Sequence, residues 1–401
     1  MSTEKLNGLI ALASNSPGAP TGYGQQAEHL VNSLVQHGIK TAILSNYGLE
    51  GGMSTYKTKH GDAAHYPRGV TPYSVDVFTP WFNHFSAQHP GVPGAIMTLY
   101  DVWVYNAWKD DIPVISWVPL DHVTMPPTVA SFLKRDKVTP VAMSPFGQRQ
   151  MEAVGIDSTY VPHAIDVKVY QKTLMIDRGD GEKIPTREFM GIPEDTFLVG
   201  MVAANKANGI IHRKAYGENL LAFAMFHEKF PNSHLYIHAD PAPSTGGYDL
   251  KVLLKASGVS PDSVTIANRD KLRTGYPRAE LAALYTTFDV LLATSYGEGF
   301  GVPTMEAQAC GTRVIGSGWA ATLDLVSEDG WLCEGQPFWD EPQKAFFQIP
   351  QIGSVVSALE QAYNAERCYS ATARKFALDY DIPKVWEQYW MPFLRGYFDA
   401  S

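Results

Sequence analysis

The sequence is poor in cysteine, with only three among its 401 residues: Cys310, Cys333 and Cys368. Their number is odd and their spacing is not that of a metal site, so we expect reduced, buried thiols of a cytoplasmic protein. A long hydrophobic run is also missing. The apolar segment Leu9–Ala13 is too short to span a membrane and lacks the layout of a signal peptide, so no transmembrane segment is expected.

Charged residues are scarce as well, at 18% of the chain, and the net charge is −9. Because there is no basic tail, the field of the whole molecule gives no help to binding of nucleic acid or an anionic membrane. The sequence has no Gly-x-Ser-x-Gly motif, which leaves hydrolase triad chemistry unsupported. It also has no His, Cys and Asp cluster with the spacing of metal ligands, so no metal site is expected.

What the sequence does contain is 45% apolar residues and a length that suits two domains of about 150–200 residues each. Short apolar runs alternate with helical patterns such as Glu28–Val35 and Gly217–His227, which is typical of parallel sheets flanked by helices. A hinge is predicted near 165–190. Strands are predicted at Gly8–Ala13, Lys40–Leu44, Ala95–Leu99, Val114–Val118, Val138–Met143, Phe197–Ala203, His234–His238, Val264–Ile266, Val290–Ala293 and Arg313–Ile315.

One segment, Ser295–Gly311, combines a glycine-rich loop with the start of a helix. A strand-like run precedes it, Gly297, Gly299 and Gly301 form the turn, and Pro303 is predicted to open the helix. The first turn of a helix presents unpaired backbone N–H groups and the positive end of a dipole. The sequence therefore predicts a phosphate site at this turn.

Two carboxylates lie in the same segment, Glu298 in the loop and Glu306 in the predicted first turn of the helix. A carboxylate repels phosphate but accepts hydrogen bonds from hydroxyl groups. The predicted ligand therefore carries both a phosphate and a sugar.

The two glutamates are separated by seven residues, with Gly-Phe-Gly after the first and Ala after the second. This pattern resembles the donor-site signature of the retaining GT-B glycosyltransferases, the glycosyl transferases of group 1 (family 4-like). The resemblance implies that Glu306 holds the ribose hydroxyls of a nucleotide diphosphate sugar and that Glu298 contacts the transferred sugar. It also implies that Gly299, Phe300 and Gly301 line the site.

The resemblance further implies an α/β architecture, the GT-B fold, with two Rossmann-like doubly wound parallel-sheet domains that face a central cleft. The N-terminal, acceptor-side domain is expected to cover residues 1–170, with a C-terminal helix at 384–401 that crosses back to it. The nucleotide-sugar-binding domain is expected to cover residues 190–380.

A basic segment, Asn205–Lys214, follows one predicted strand and precedes a helix. Members of the family place an arginine and a lysine here, because negative charge builds on the leaving diphosphate in the transition state. The resemblance identifies Lys214 as this lysine, and both Arg213 and Lys206 stay open as the second cation. With such cations the expected enzyme needs no metal and no cofactor besides the nucleotide sugar.

The first loop contains Gly22-x-Gly24-x-x-Ala27, which matches the dinucleotide-binding fingerprint. The loop before it is too long for a tight Rossmann turn, and the second strand ends in Ser45-Asn46 instead of an acid. We therefore interpret Gly22 and Gly24 as part of a GT-B glycine loop near the donor, with Tyr23 on the acceptor side. A nicotinamide-dependent enzyme stays open as an alternative.

The remaining candidates follow other predicted strands. His122 is expected to contact the donor sugar by resemblance, while Asp121 and Asp101 are expected on the acceptor side of the cleft. On the donor side, the resemblance places the nucleotide base near the backbone of Asn268 and Arg269. The amides that start a helix near Thr322 are expected to touch phosphate.

Together these features predict a retaining hexosyltransferase that uses a UDP- or GDP-sugar. The acceptor hydroxyl could belong to a glycan, a protein, a lipid or a modified nucleobase, and the sequence leaves all four open. A non-catalytic protein of the same fold that binds sugar nucleotides or carbohydrate is a second alternative.

Overall fold

A computed structural model describes residues 5–105, 108, 111–179, 181–207, 211–242 and 246–400. The chain divides into two compact units. The first unit consists of Met1–Ala164, Glu341–Ala345 and Ile382–Ser401, and the second of Ile165–Asp340 and Phe346–Asp381. The chain thus passes from the first unit to the second at Ile165. The sequence predicted the end of the first domain at residue 170 and the start of the second at residue 190.

The first unit is built on an eight-stranded sheet in the order β3-β4-β2-β1-β5-β6-β7-β8. All neighbouring pairs are parallel except β3 with β4, which form an antiparallel hairpin at one edge. The strands are β1 (Leu9–Ser14), β2 (Lys40–Ser45), β3 (Ser54–Thr58), β4 (Gly61–Tyr66), β5 (Gly94–Leu99), β6 (Val114–Val118), β7 (Val138–Ala142) and β8 (Thr159–Tyr160). Strand order reverses between β1 and β5, which creates a crevice at the carboxyl ends of these two strands.

Four α-helices accompany this sheet in the described part of the first half: α1 (Gly22–Gln36), α2 (Phe78–Ala87), α3 (Pro127–Leu133) and α4 (Pro145–Glu152). Short 3-10 helices cover Pro72–Val77 and Val102–Tyr105. Helix α1 begins where the Thr21 side chain accepts a hydrogen bond from the Gly24 N–H, a standard N-cap. The β1 strand is buried along its whole length, as expected for a central parallel strand covered on both faces.

The second unit contains a six-stranded sheet in the order β13-β12-β11-β14-β15-β16, with all neighbouring strands parallel. Two separate two-stranded sheets, β9 with β10 and β17 with β18, complete it. The strands are β9 (Met175–Asp177), β10 (Lys183–Pro185), β11 (Phe197–Val202), β12 (Ser233–His238), β13 (Val264–Ile266), β14 (Val290–Ala293), β15 (Val314–Ser317), β16 (Trp331–Cys333), β17 (Gly335–Asp340) and β18 (Ala345–Pro350). Strand order reverses between β11 and β14, so this sheet too has a crevice at its carboxyl edge.

The helices of the second unit pack against this sheet and enclose a continuous apolar core that includes Phe223, Leu235 and Leu292. The α-helices are α5 (Thr186–Met190), α6 (Tyr216–Lys229), α7 (Leu250–Ala256), α8 (Arg269–Thr274), α9 (Arg278–Thr287), α10 (Val302–Ala309), α11 (Thr322–Leu325), α12 (Ile352–Asn364) and α13 (Ala371–Ala377). Short 3-10 helices cover Pro261–Ser263 and Leu378–Tyr380.

The C-terminal segment belongs to the first unit. It runs as α14 (Ile382–Val385), a π-helical turn (Trp386–Trp390) and α15 (Met391–Asp399). Two indoles anchor it, because Trp386 stacks on His37 with ring centroids 4.6 Å apart and Trp390 meets Trp117 at 4.9 Å.

The ring of Phe398, in α15, lies directly over Gly8. A Cβ at this glycine would come within 2.3 Å of the ring, so only glycine fits beneath the segment.

The predicted α/β architecture of two Rossmann-like domains is confirmed. Among the described residues, no helix combines the length and the apolar character that crossing a bilayer requires.

Candidate functional site

The glycine loop lies at the carboxyl end of β14, beside the strand-order reversal of the second unit. Helix α10 starts at Val302, one residue before the predicted start at Pro303, so Glu306 lies just after the first turn and not within it. Gly301 is the N-cap and has φ +93°, a left-handed conformation that glycine adopts without steric cost. Parallel β/α units thus place the loop and the helix N-terminus where ligands usually bind in open sheets.

The side chain of Glu298 accepts hydrogen bonds from two cations. Its Oε1 lies 2.5 Å from Lys214 Nζ, and its Oε2 lies 3.1 Å from Arg213 Nη1. The side chains of Glu298, Lys214 and Arg213 are only 15%, 21% and 24% exposed. We call these three side chains the Glu298 cluster.

The charge state of the cluster follows from two opposing effects. Burial by itself would raise the pKa of Glu298, but the charges and hydrogen bonds of Lys214 and Arg213 outweigh it and lower that pKa below its ordinary value. Glu298 is therefore an ionised carboxylate at neutral pH, and the cluster holds two positive charges and one negative charge.

Backbone contacts fix the cluster on the loop. Arg213 Nη1 also donates to the carbonyl oxygen of Gly297, and the Tyr296 N–H donates to the Arg213 carbonyl at 2.7 Å. The side chain of Asn219 holds the strand end by donating to the Thr294 carbonyl at 3.2 Å. The basic segment and the glycine loop are thus one hydrogen-bonded unit.

Of the two residues considered for the second cation, the structure brings Arg213 into the Glu298 cluster. Lys206 is exposed, and its backbone N–H donates to the Ala204 carbonyl at 3.0 Å. The segment between them, residues 208–210, lies outside the described part of the chain.

Glu306 sits on α10 and is only 3% exposed. Its Oε2 accepts a hydrogen bond of 2.8 Å from the hydroxyl of Tyr285, a fully buried residue of α9. Burial, and secondly the charge of Glu306, raises the pKa of Tyr285 well above its ordinary value, so the phenol stays protonated and donates. The predicted ribose ligand is thus almost fully buried, with one oxygen oriented by Tyr285.

Two further loop residues were predicted to line the site, Gly299 and Phe300, and both are buried. Gly299 is buried, while Phe300 is 3% exposed and packs its ring against Tyr380, with centroids 5.8 Å apart. Phe300 therefore anchors the loop to the core, and what this stretch presents to a ligand is backbone.

Thr322 is the first residue of α11, as its predicted helix start required. The preceding residue, Ala321, donates its N–H to the Glu298 carbonyl at 3.2 Å, which ties this helix start to the glycine loop. Thr322 itself is only 4% exposed, and its methyl group packs so closely on Gly316 that a Cβ there would come within 2.5 Å of it.

Asn268 and Arg269 lie where β13 leads into α8, at the same carboxyl edge of the sheet. Asn268 is the N-cap of α8 and accepts from the Lys271 N–H at 2.9 Å, so its side chain is committed to capping. The guanidinium of Arg269 lies 3.3 Å from Asp240, at the end of β12. Both residues are exposed.

In the first unit, the predicted residues Tyr23 and Asp101 meet at the crevice between β1 and β5. The Tyr23 hydroxyl donates to Asp101 Oδ2 at 3.3 Å, and the Tyr23 ring lies against Tyr100 with centroids 5.1 Å apart. Gly22 opens α1 and is exposed. Gly24 is buried at a close backbone approach, where a Cβ would lie 2.4 Å from the Ala19 carbonyl oxygen.

Asp121 and His122 follow β6 and form a pair of their own. His122 Nδ1 lies 2.7 Å from Asp121 Oδ1, and the two side chains are 6% and 18% exposed. The carboxylate thereby fixes the orientation of the imidazole, as in many functional histidines.

Sequence reasoning missed several residues of these crevices. In the first unit, the Asn46 amide donates to the Tyr100 hydroxyl at 2.9 Å, and that hydroxyl donates to Asn15. Their common signal is position, since each follows a predicted strand that ends at the crevice.

Sequence reasoning also missed His212, in the second unit. It stacks on Tyr248 with ring centroids 3.5 Å apart, and burial lowers its pKa. Within the described residues neither of its ring nitrogens has a hydrogen-bond partner. Its place directly before Arg213 was the available signal.

No group of three His, Cys, Asp or Glu side chains with the geometry of a metal site occurs in the described ranges.

Comparison with known proteins gives one family. Residues 222–343 match the family described as Glycosyl transferases group 1. A D-inositol 3-phosphate glycosyltransferase of Thermobifida fusca is 33% identical over 140 residues, which are 34% of this chain and 30% of that protein. The chain thus matches only about a third of the length of such curated relatives.

Solved structures are similar over nearly the whole chain. Sucrose-phosphate synthase from Thermosynechococcus elongatus superposes with a TM-score of 0.72 at 16% identity, covering 98% of this chain and 100% of that one. The α,α-trehalose 6-phosphate synthase of Burkholderia multivorans gives 0.69 at 13% identity, with 98% and 100% coverage. At such identities the likeness establishes the fold, which is GT-B.

Proposed function

Because residues 222–343 match the glycosyl transferases of group 1 and the chain has the GT-B fold, we propose that it is a retaining, metal-independent glycosyltransferase of that family. It transfers a hexose from a UDP- or GDP-sugar to an acceptor hydroxyl. The observation that carries this proposal is the Glu298 cluster on the glycine loop, with Glu306 on the helix that follows.

The donor side is assigned to the carboxyl edge of the second sheet. Lys214 and Arg213 supply fixed positive charge for the diphosphate, and the N-terminal amides of α10 and the start of α11 add partial positive charge. Glu306, oriented by Tyr285, accepts from the ribose hydroxyls, and Glu298 accepts from a hydroxyl of the transferred sugar. The exposed segment at Asn268 and Arg269 is assigned to the base.

In the proposed reaction the oxygen of the acceptor hydroxyl attacks C1 of the donor sugar as the bond between C1 and the β-phosphate oxygen breaks. The acceptor proton passes to the departing phosphate on the same face, so the products are the glycoside with retained configuration and the nucleoside diphosphate. Lys214 and Arg213 stabilise the charge that grows on the leaving phosphate. This is the role that a metal ion fills in other transferases, and it supports metal independence.

The acceptor side is assigned to the carboxyl edge of the first sheet. There the Tyr23 hydroxyl, the Asp101 carboxylate and the Asp121–His122 pair present groups that exchange hydrogen bonds with hydroxyls. The cytoplasmic location, indicated by the few cysteines, stays a prediction.

The first experiment is a thermal-shift screen of UDP- and GDP-sugars, because a ligand that binds only the folded protein raises its melting temperature by mass action. Any stabilising donor is then incubated with candidate acceptors, and the anomeric configuration of the product is read by NMR. We expect a product of retained configuration, formed equally fast with and without EDTA. An inverted product, or activity that EDTA abolishes and manganese restores, would contradict the proposal. The Lys214→Ala variant should lower kcat by about a hundredfold, the magnitude typical for one lost charge-stabilising donor.

A further inference from the structure

The positive charge of the Glu298 cluster is partly neutralised from within, because the Glu298 carboxylate contacts both cations. Lys214 Nζ lies 2.5 Å from one oxygen of the carboxylate, and Arg213 Nη1 lies 3.1 Å from the other. All three side chains are at most 24% exposed, so these contacts replace water instead of lying in it. The cations assigned to the diphosphate are therefore already engaged by an anion that belongs to the protein.

A diphosphate that binds these cations competes with Glu298 for their hydrogen bonds. Lys214 has further N–H donors, but a phosphate drawn to its charge weakens its short contact with Glu298 Oε1. The Nη1 group of Arg213 is shared with the Gly297 carbonyl as well. A mostly buried carboxylate that loses its donors is raised in free energy, because a desolvated charge is destabilised when it has no partner. The cost of binding diphosphate thus falls on Glu298.

An intact nucleotide sugar can offset this destabilisation of Glu298, whereas a free nucleoside diphosphate cannot. The hydroxyls of the sugar can donate to the carboxylate that the phosphates have deprived of its cations. The free nucleoside diphosphate has no group at this position. We propose that Glu298 is a specificity-determining residue that makes the site prefer the intact nucleotide sugar over its nucleoside diphosphate product; this rests on the proposed function.

The preference has a consequence for turnover. Once the sugar has been transferred, Glu298 regains Lys214 and Arg213 as partners, and this exchange helps to expel the product. Because the two cations hold the pKa of Glu298 below its ordinary value, the carboxylate competes throughout the neutral pH range. The same residue therefore recognises the substrate and discourages product inhibition.

The test is a pair of titrations on the full chain. UDP and UDP-glucose, and in parallel GDP and GDP-mannose, are titrated by calorimetry into the wild type and Glu298→Gln. The glutamine keeps the size of the side chain but removes the charge that competes for the cations.

We expect opposite shifts in Glu298→Gln: nucleoside diphosphate binds about tenfold more tightly, and the intact nucleotide sugar binds less tightly. A merely structural role of Glu298 would weaken both ligands together. Glu298→Ala, which removes the same charge, serves the same test if the glutamine variant does not fold.

Glu218→Gln is the matched control. Glu218 is a neighbouring carboxylate that accepts a 2.7 Å hydrogen bond from the Tyr296 hydroxyl, one residue outside the loop that holds Glu298. Its substitution changes the net charge of the unit by the same amount, so an equal gain in diphosphate affinity would reveal a general electrostatic effect and overturn the proposal.

Two further results would also overturn it: wild-type protein that binds the free diphosphate more tightly than the nucleotide sugar, or a Glu298→Gln variant with unchanged diphosphate affinity. Failure of the proposed function looks different. In that case no nucleoside diphosphate binds the wild type at all, and both proposals fall together.

Discussion

At the scale of single residues, the proposed donor side contains two carboxylates with different partners. Glu298 faces two cations and is part-exposed, whereas Glu306 is buried and bonded to a tyrosine. The first can exchange partners when a ligand arrives. The second is held in one orientation and is suited to recognise a fixed pair of hydroxyls.

Glu306→Gln should weaken binding of the nucleoside diphosphate about tenfold or more. The amide keeps an oxygen that can accept from Tyr285, but it cannot accept charge-assisted hydrogen bonds from two ribose hydroxyls, each worth about 1.5–3 kcal/mol. Calorimetric titration of UDP and GDP measures this directly. Equal affinity in variant and wild type would refute the ribose role of Glu306.

Tyr285→Phe should affect both stability and binding. It leaves a buried carboxylate oxygen without its 2.8 Å donor, which we expect to cost about 1–3 kcal/mol in the free energy of unfolding, and it lets Glu306 leave its orientation. Tyr216→Phe is the control, since Tyr216 is equally buried and donates at 2.7 Å to the Ala203 carbonyl. Both variants should melt earlier in thermal unfolding, but only Tyr285→Phe should also lose diphosphate affinity. If the two variants bind alike, Tyr285 does not position Glu306.

These residues show what sequence could predict. Glu298, Glu306 and Lys214 lie in local patterns whose chemistry is legible from neighbouring glycines and a helix start. Tyr285 lies on a different helix and reaches Glu306 only through the packing of α9 against α10, so no local pattern announces it. The deep burial of Glu306 could not be predicted for the same reason.

At the scale of elements, the glycine loop and α10 work together because the backbone turns sharply at Gly301. Its φ of +93° lies in the left-handed region, where a Cβ would cost about 1–2 kcal/mol. The turn aims the first amides of α10 at the loop.

Gly301→Ala should therefore lower the melting temperature and weaken nucleoside diphosphate binding, since relief of the strain would rotate the start of α10. Gly217→Ala is the matched control: it lies near the start of α6, and nothing within 4 Å would meet its Cβ. Thermal unfolding and calorimetry on both variants check this. A Gly301→Ala protein as stable and as tight-binding as Gly217→Ala would show that the turn has no such role.

The central strands were predictable and the edge hairpins were not. Val114–Val118 and Val290–Ala293 have the predicted bounds, because inner strands covered on both faces are continuous apolar runs. Val264–Ile266 also has the predicted bounds, although it is a half-buried edge strand. β3 has only exposed and half-buried residues, and β17 has the same pattern except at its last position, so the hydrophobic signal is absent. Helix α1 starts at Gly22, earlier than the apolar pattern at Glu28 indicated, because the Thr21 cap sets its start.

At the scale of the whole molecule, sequence similarity to known families is uneven along the chain. The family match covers residues 222–343, almost wholly in the second unit, whereas the fold extends over both. A site that binds a nucleotide diphosphate imposes glycines, cations and carboxylates at set positions. Under the proposed function the first unit meets looser demands, since its sheet needs only apolar strands and its crevice is assigned to one particular acceptor. This difference explains why the sequence of the second unit is the easier one to interpret.

Each unit also contains a histidine that couples its stability to pH: the buried His163 in the first and the half-buried His238 in the second. In the first unit, burial and secondly the nearby His29 lower the pKa of His163 to about 3, and in the second unit burial lowers the pKa of His238 to about 4. The same groups titrate near 6.5 in the unfolded chain. Above that pH both histidines are neutral in the folded and the unfolded protein, so their titration does not change the stability.

As pH falls below about 6.5 the unfolded chain takes up protons that the folded protein refuses. Stability should therefore fall, by up to about 1.4 kcal/mol per pH unit for each histidine, until the pH reaches the folded-state pKa. Melting temperatures between pH 7.5 and 5.0 measure the slope. His238→Gln should reduce the slope of the second unit, because glutamine takes up no proton in either state, while His60→Gln, at an exposed position, serves as control. A wild-type melting temperature that stays constant over this range would show that the folded protein accepts these protons, and hence that His163 and His238 are not held neutral by burial.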